Sequence, residues 1–337
     1  MTDILGSLKE RFQDQVLDMH QNLGDQTAII DKEAIRPVLK WLRDESTERY
    51  EFLTDLCGVD KLFLNGSPHR FEVVYHLKNV STGARVRIKA AVPENDCELD
   101  TVSDLWHAAN WAEREVYDMY GVRFRNHPNL RRILCISSFK GHALRKDYDI
   151  RHQQWQDEER DDLYDELEAQ GKDVDGATFS ELVPINLGPA HPAVHGTLRS
   201  LVKCDAEIIV KSAQEIGYLH RGFEKHSENS TWTQVIPYTD RLNYCSCMMN
   251  NVAWCRTVEK MLGIEVPERT QYIRVIISEI SRIIDHLVCL AAALVDLGAL
   301  TGFWYLFAVR ERAYEALDRV RFEGIQFRRD IAPSRSS

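Results

Sequence analysis

The chain has 337 residues and 39.0 kDa, a size that suggests two domains, and its 44% apolar and 28% charged residues are those of an ordinary packed protein. Seventeen glycines and ten prolines are too few for a collagenous or low-complexity chain, which excludes disorder as the main state. The net charge of −10 argues against nucleic acid as a partner, because phosphate binding needs a basic surface.

In chain order, residues 4–20 place Ile4, Leu5, Leu8, Phe12 and Val16 at helical spacing, and Asp31 can cap a second helix carrying Ile35, Val38, Leu39 and Leu42. The N-terminal MTDILGSLKERF has charges and no apolar core, so no signal peptide is read there. Phe71 to Leu77 alternates with period two, and Ser81-Thr-Gly83-Ala turns the chain into Arg85–Ala90, a hairpin signal. Residues 101–120 read as a helix capped by Thr101 or Ser103 and stopped at Gly121. Strands beside helices without strict alternation favour a small mixed α/β domain over residues 1–155.

Residues 157–175 hold ten acids against Arg160 and Lys172, which concentrates most of the negative charge there. Residues 156–180 therefore read as a solvated acidic linker. After it, Leu182–Leu187, Leu198–Cys204 and Glu207–Gln214 are short strand-like runs. Long helices follow over 241–262, 269–297 and 301–320, with Ile273, Ile276, Ile277, Ile280, Ile284 and Leu287 at three- and four-residue steps in the middle one. The fold class is α+β: a mixed N-terminal domain, an acidic linker, and antiparallel strands leading into a helix bundle over 181–337.

Leu287 to Val309 has Asp296 as its only charge and is long enough to cross a bilayer. A central carboxylate costs about 2.5–3.5 kcal/mol on insertion scales, and Gly298 and Gly302 interrupt the run. Two consecutive helices buried in a bundle are the preferred reading. The eight cysteines show no disulfide spacing and several sit in apolar runs, as befits a reducing compartment.

Three segments carry chemistry. Gly188-Pro189-Ala-His191-Pro192-Ala-Val-His195-Gly196 cannot be a continuous helix, so its histidines sit on a rigid loop between strands. Taken alone, the plainer reading is a loop whose imidazoles satisfy nearby carbonyls. Tyr244, at the start of a helix, offers a neutral donor with pKa near 10, and histidine a proton donor near 6.5. Such a pair suits a dicarbonyl ligand that takes up two electrons and two protons, although Tyr244 alone reads equally as a core aromatic. Asp296 should be neutral or partnered if buried, or else a capping residue. Neither a CxxC pair nor a glycine-rich nucleotide fingerprint occurs, so no metal and no nicotinamide is assigned to this chain.

Longer motifs connect these segments. Glu113-Arg-Glu-Val-Tyr-Asp118-Met-Tyr-Gly121, His127-Pro-Asn-Leu-Arg131-Arg132-Ile-Leu and Gly141-His142-Ala-Leu-Arg145-Lys146-Asp147-Tyr148 resemble the C subunit (30-kDa type) of respiratory complex I. The loop at 188–196, His220-Arg221-Gly222-Phe-Glu-Lys225, Pro237–Tyr244 and Asp296-Leu-Gly-Ala-Leu-Thr301 resemble its D subunit (49-kDa type), itself similar to the large subunit of nickel hydrogenases. Both in one chain resemble the fused C/D subunit of bacterial NADH-quinone oxidoreductase.

The resemblance implies a peripheral subunit on the cytoplasmic side of the inner membrane that helps pass electrons from a partner's iron–sulfur cluster to quinone. His191, His195 and Tyr244 would contact the quinone, and Asp296 would partner His195. Arg221 and His286 would lie near the terminal cluster of the B subunit. The I subunit and the membrane H subunit are further implied partners, and FMN, NADH and the clusters belong to partner subunits. A non-catalytic assembly scaffold and a subunit of a hydrogenase-like complex are the alternatives.

Two departures stand out. His142-Ala143-Leu144 replaces the usual His-Pro-Leu, and the match ends after Val320. Where a Thr-Gly-Ala-Arg-Met-His type segment is expected, the chain reads Arg321-Phe-Glu-Gly-Ile-Gln326. A truncation or frameshift within the D part is the expectation, and with it an isolated chain that is inactive.

Overall fold

The structure, a computed structural model, describes residues 4–64, 66–152, 154, 162–169 and 183–322. Its α+β chain divides into two compact units, residues 1–220 and 221–337.

In the first unit, strands β1 (Val16–His20), β2 (Thr27–Asp31), β3 (Phe52–Asp60), β4 (Phe71–Lys78) and β5 (Arg85–Val92) form one sheet in the order β1-β2-β5-β4-β3. The expected hairpin is β4–β5, antiparallel from Phe71 opposite Val92 to Lys78 opposite Arg85, with Gly83 at φ +75° in its turn. A period of two puts Phe71, Val73, Tyr75 and Leu77 on one face, and all four are fully buried. They share a core with helix α1 (Ile4–Phe12), through Ile4 and Leu8, and with α2 (Ile35–Asp44), through Ile35, Val38, Leu39 and Leu42. Asp31 opens the turn into α2, its carboxylate accepting the Glu33 N–H at 3.0 Å.

Residues 4–20 are not one helix. The chain breaks after Phe12, with Gln13 at φ 44°, and Val16–His20 runs antiparallel to β2. The ladder satisfies backbone groups that helical spacing alone left to α1. Strands β2 and β3 escaped the sequence reading. The first is only five residues long and pairs in parallel with the distant β5, and the second has a register shift between Leu53 and Asp55. The helix expected over 101–120 covers only α3 (Ala109–Tyr120), ended by Gly121 at φ +79°. Thr101 and Val102 are held out of it by the Glu113 carboxylate, and Trp106 Nε1 donates to Glu51 O at 3.0 Å. Short strands β6 (Glu98–Asp100) and β7 (Arg123–Arg125) pair in parallel on either side of α3 in sequence.

The reading of 156–180 as solvated linker is corrected over Asp162–Ala169, which forms helix α4. Leu163 and Leu167, four residues apart on one face, are buried against Leu201 and Ala213. The rest of that stretch lies outside the described residues. The three expected strands are β8 (Pro184–Leu187), β9 (Arg199–Asp205) and β10 (Ile208–Glu215), an antiparallel sheet in the order β10-β9-β8, with Leu182 outside the described residues. This sheet groups with the first compact unit, so the break between units falls at 220/221 and not at the expected domain start of 181.

The second unit is helical: α5 (Phe223–Glu228), α6 (Trp232–Thr239), α7 (Cys247–Leu262), α8 (Glu268–Asp296) and α9 (Leu300–Phe322). α7 starts later than the expected 241, and Gly263 at φ +68° ends it. α7 and α8 are joined by a bidentate buried pair, Arg274 with Glu259 at 2.6 and 2.7 Å, beside Cys255 and Ile277. The apolar run 287–309 is two helices, as expected, parted at Gly298 with φ +81°. Among the described residues no helix is long and apolar enough to cross a membrane.

The expected burial of that run on every face is not found. Leu297 is 82% exposed and Tyr305 72%. Among the described residues, nothing covers those outer faces of α8 and α9. The isoleucine set of α8 splits for the same reason: Ile277 and Ile284 face the helix neighbours, while Ile276, about 100° round the axis, is exposed. Of the cysteines, all free, only Cys255 is buried, and Cys289 is exposed. Gln326 lies outside the described residues.

Candidate functional site

The imidazole loop joins β8 to β9. Leu187 is opposite Ser200, and Gly188 closes the neck at φ +98°. A Cβ on Gly188 would fall 2.0 Å from the carbonyl oxygen of Leu198, so only glycine lets the two limbs meet. Arg199 braces the base, Nε donating to Asn186 Oδ1 and Nη1 to Glu215 Oε2, both at 3.0 Å. His191 and His195 stand exposed on this loop. The Ala193 N–H donates to His191 Nδ1 at 3.1 Å, so the neutral ring carries its proton on Nε2. The loop thus fixes a tautomer and leaves a donor for a ligand.

The phenol belongs to the second unit. Tyr244 is 64% exposed on the turn between α6 and α7, two residues before the α7 cap Ser246, and not on the helix itself. The turn is held from within. Asn243 Nδ2 donates to Ser246 Oγ at 2.6 Å, Arg241 Nη1 to Pro237 O at 2.6 Å, and the buried Thr239 hydroxyl lies 2.8 Å from Asn251 Oδ1. Burial, with the Asp285 carboxylate adding to it, raises the thiol of Cys245.

His286 is exposed on α8, and Arg221 is exposed ahead of α5, whose cap Gly222 takes φ +60°. Asp296 is the last residue of α8 and is exposed, so of the two readings left open, a buried carboxylate or one at a helix end, the structure has the second. The chain leaves the helix at Leu297 and Gly298, where water reaches the carboxylate. His191 and His195 are thus carried by the first unit, and Arg221, Tyr244, His286 and Asp296 by the second.

Sequence reasoning missed the buried polar groups of α3. Asp118, fully buried, accepts through Oδ2 from the N–H groups of Ile133, Leu134 and Cys135 at 3.1, 2.9 and 2.8 Å, and through Oδ1 from Arg132 at 2.7 Å. That carboxylate nails the strap 132–135 to the helix. Gly217, at φ +107°, packs against the strap, where a Cβ would meet Leu134 O at 2.6 Å.

Glu113 accepts from the Val102 N–H at 2.7 Å and bonds the Thr101 hydroxyl. Burial outweighs these bonds and pushes its carboxyl up to about 7. His127 nearby donates Nε2–H to Asn110 O and accepts the Asn129 N–H at Nδ1, both at 3.0 Å, and burial lowers it, so its ring is neutral. The available signal was charged residues at positions 113, 114 and 118, interleaved with apolar Val116 and Met119 on one short helix.

Residues 28–154 match the family described as respiratory-chain NADH dehydrogenase, 30 Kd subunit, and this stretch contains the five-stranded sheet from β2 onward, α3 and the strap. The match defines the class of this part of the chain: residues 28–154 are a domain of the 30-kDa type. Beyond residue 154 the likeness continues. The chain is 43% identical over 298 residues to the C/D subunit of NADH-quinone oxidoreductase from Bdellovibrio bacteriovorus, covering 88% of this chain and 52% of that one. It is 37% identical to the C/D subunits of the same enzyme from Nitrosospira multiformis and Azotobacter vinelandii, covering 95% and 94% of this chain and 56% of each relative.

Over most of its own length the chain is similar to fused C/D subunits of NADH-quinone oxidoreductase, and it spans about half the length of the curated relatives it matches. A solved structure, the trypsin-resistant fragment (1-134) of Nqo5, is 33% identical with a TM-score of 0.34, covering 38% of this chain and 98% of its own.

Proposed function

We propose that this chain contributes part of the quinone-reduction site to the peripheral arm of a proton-pumping NADH:quinone oxidoreductase, on the cytoplasmic side of the membrane. The observation that supports this most is local. The side chains that would touch a quinone are presented to solvent on turns braced by glycine, proline and internal hydrogen bonds, and are not spent in either core. Donors held ready in this way lose little freedom on binding.

In this reading the quinone's two carbonyl oxygens receive hydrogen bonds from Tyr244 and from the histidine loop. Reduction of the quinone takes two electrons and two protons. The electrons come from the terminal iron–sulfur cluster of a partner subunit, near which Arg221 and His286 would stand. Tyr244 and His195 deliver the protons, and Asp296 steadies the imidazolium form of His195. Donors aimed at oxygens that gain negative charge act most strongly where water is excluded. FMN and NADH stay with partner subunits, and this chain carries no cofactor in the reading.

The test is Tyr244→Phe in the assembled complex. NADH:quinone activity should fall on the order of 10²-fold, the range of a single lost acid–base group, with NADH:ferricyanide activity unchanged. Equal loss of both activities overturns the assignment. A second reading, an assembly scaffold without turnover, is favoured by the contrast between the closed core of the first unit and the uncovered faces of α8 and α9. In that case Tyr244→Phe changes neither activity, while loss of the chain prevents assembly.

A further inference from the structure

The first unit holds a cavity of about 500 Å³ between α3, the strap, α4 and the end of β10. Four guanidinium groups line it. Three have acids: Arg131 pairs with Glu166, Arg132 with Asp118 at 2.7 Å, and Arg199 with Glu215 at 3.0 Å. Arg114 does not. It is 5% exposed, and its bonds run to main-chain carbonyls, Nε to Arg131 O at 3.2 Å and Nη2 to Arg132 O at 3.0 Å. Neither uses Nη1. Burial, with Arg131 beside it, lowers the guanidinium to about 10, and the Asp118 carboxylate offsets this only in part.

A buried charge needs a partner, and the planar guanidinium fork matches a carboxylate or phosphate. The remaining walls mix polar Ser137, Gln214 and Glu215 with apolar Trp111, Leu163 and Ile216, so an apolar patch lies beside the cations. Its volume is that of a small-molecule site. We propose that this cavity binds a small organic anion, with Arg114 holding the carboxylate or phosphate head and Trp111 and Leu163 flanking an apolar body.

The test is calorimetric titration of the full chain with benzoate and, separately, with inorganic phosphate, at ionic strength held constant with chloride. Saturable benzoate binding, tighter than phosphate, is expected. Arg114→Met and Trp111→Ala should each weaken it about 10-fold or more. Trp111 is 47% exposed, so its variant keeps the core and decides the matter if Arg114→Met fails to fold. Absence of saturable benzoate binding, phosphate binding as tightly or more tightly, or benzoate binding unchanged in Trp111→Ala overturns the proposal.

Discussion

At the scale of single residues, the 30-kDa-type part is organised by two buried carboxyls on one helix, each with its own set of donors. Asp118 is surrounded by donors, three backbone N–H groups and Arg132. Glu113 has fewer donors, and burial raises its carboxyl from the ordinary 4.5 to about 7. A carboxyl raised on folding stabilises the fold fully below about 4.5, and this contribution is lost as pH rises through about 7. The full effect is on the order of 3 kcal/mol. The difference in unfolding free energy between the wild type and Glu113→Gln, measured by urea titration from pH 5 to pH 8, should therefore move against the wild type as pH rises. Parallel pH curves for the two proteins would refute it.

At the scale of elements, the α7–α8 pairing rests on an ion pair that both helices bury. Arg274 and Glu259 are each 5% exposed and bond through both oxygens. Removing one partner leaves the other charge uncompensated, a loss of about 3–5 kcal/mol, whereas apolar replacement of both is close to neutral. Arg274→Met alone should thus lower the urea midpoint of the second unit strongly, and Arg274→Met with Glu259→Leu should restore most of it. Additive losses in the double variant would show that the pair is not coupled. The same helices show why periodicity misleads. Ile276 and Ile277 are neighbours in one apolar series, yet the helical step exposes the first and buries the second.

At the scale of the whole molecule, apolar surface is unevenly distributed. The first unit closes a core in which α1, α2 and the sheet leave Leu8, Ile30, Leu39 and Ile88 without exposure. In the second unit Ile276, Ile283 and Leu290, at steps of seven residues, are all more than half exposed. Such a stripe on an isolated chain favours association. Replacing the three with Glu, Lys and Gln should reduce self-association of the isolated chain in sedimentation velocity without changing its helix content. An unchanged sedimentation profile would show that another surface drives association.

The amino-acid sequence by itself determined what depends on neighbours a few residues away. The β4–β5 hairpin follows from alternation around Gly83, the parting of α8 and α9 from Gly298, and the histidine loop from its prolines and glycines. The long motifs from Glu113 and from Gly188 carried the family resemblance in the same direct way. Tertiary structure alone decided what depends on partners far along the chain. A distant strand, β5, and its neighbour β2 draw Val16–His20 out of the expected helix, and Leu201 and Ala213 draw Leu163 and Leu167 out of an expected linker. Whether Asp296 is wet and Asp118 dry, and whether Arg114 has an acid beside it, follows from burial and charge supplied by other elements, which no local spacing encodes.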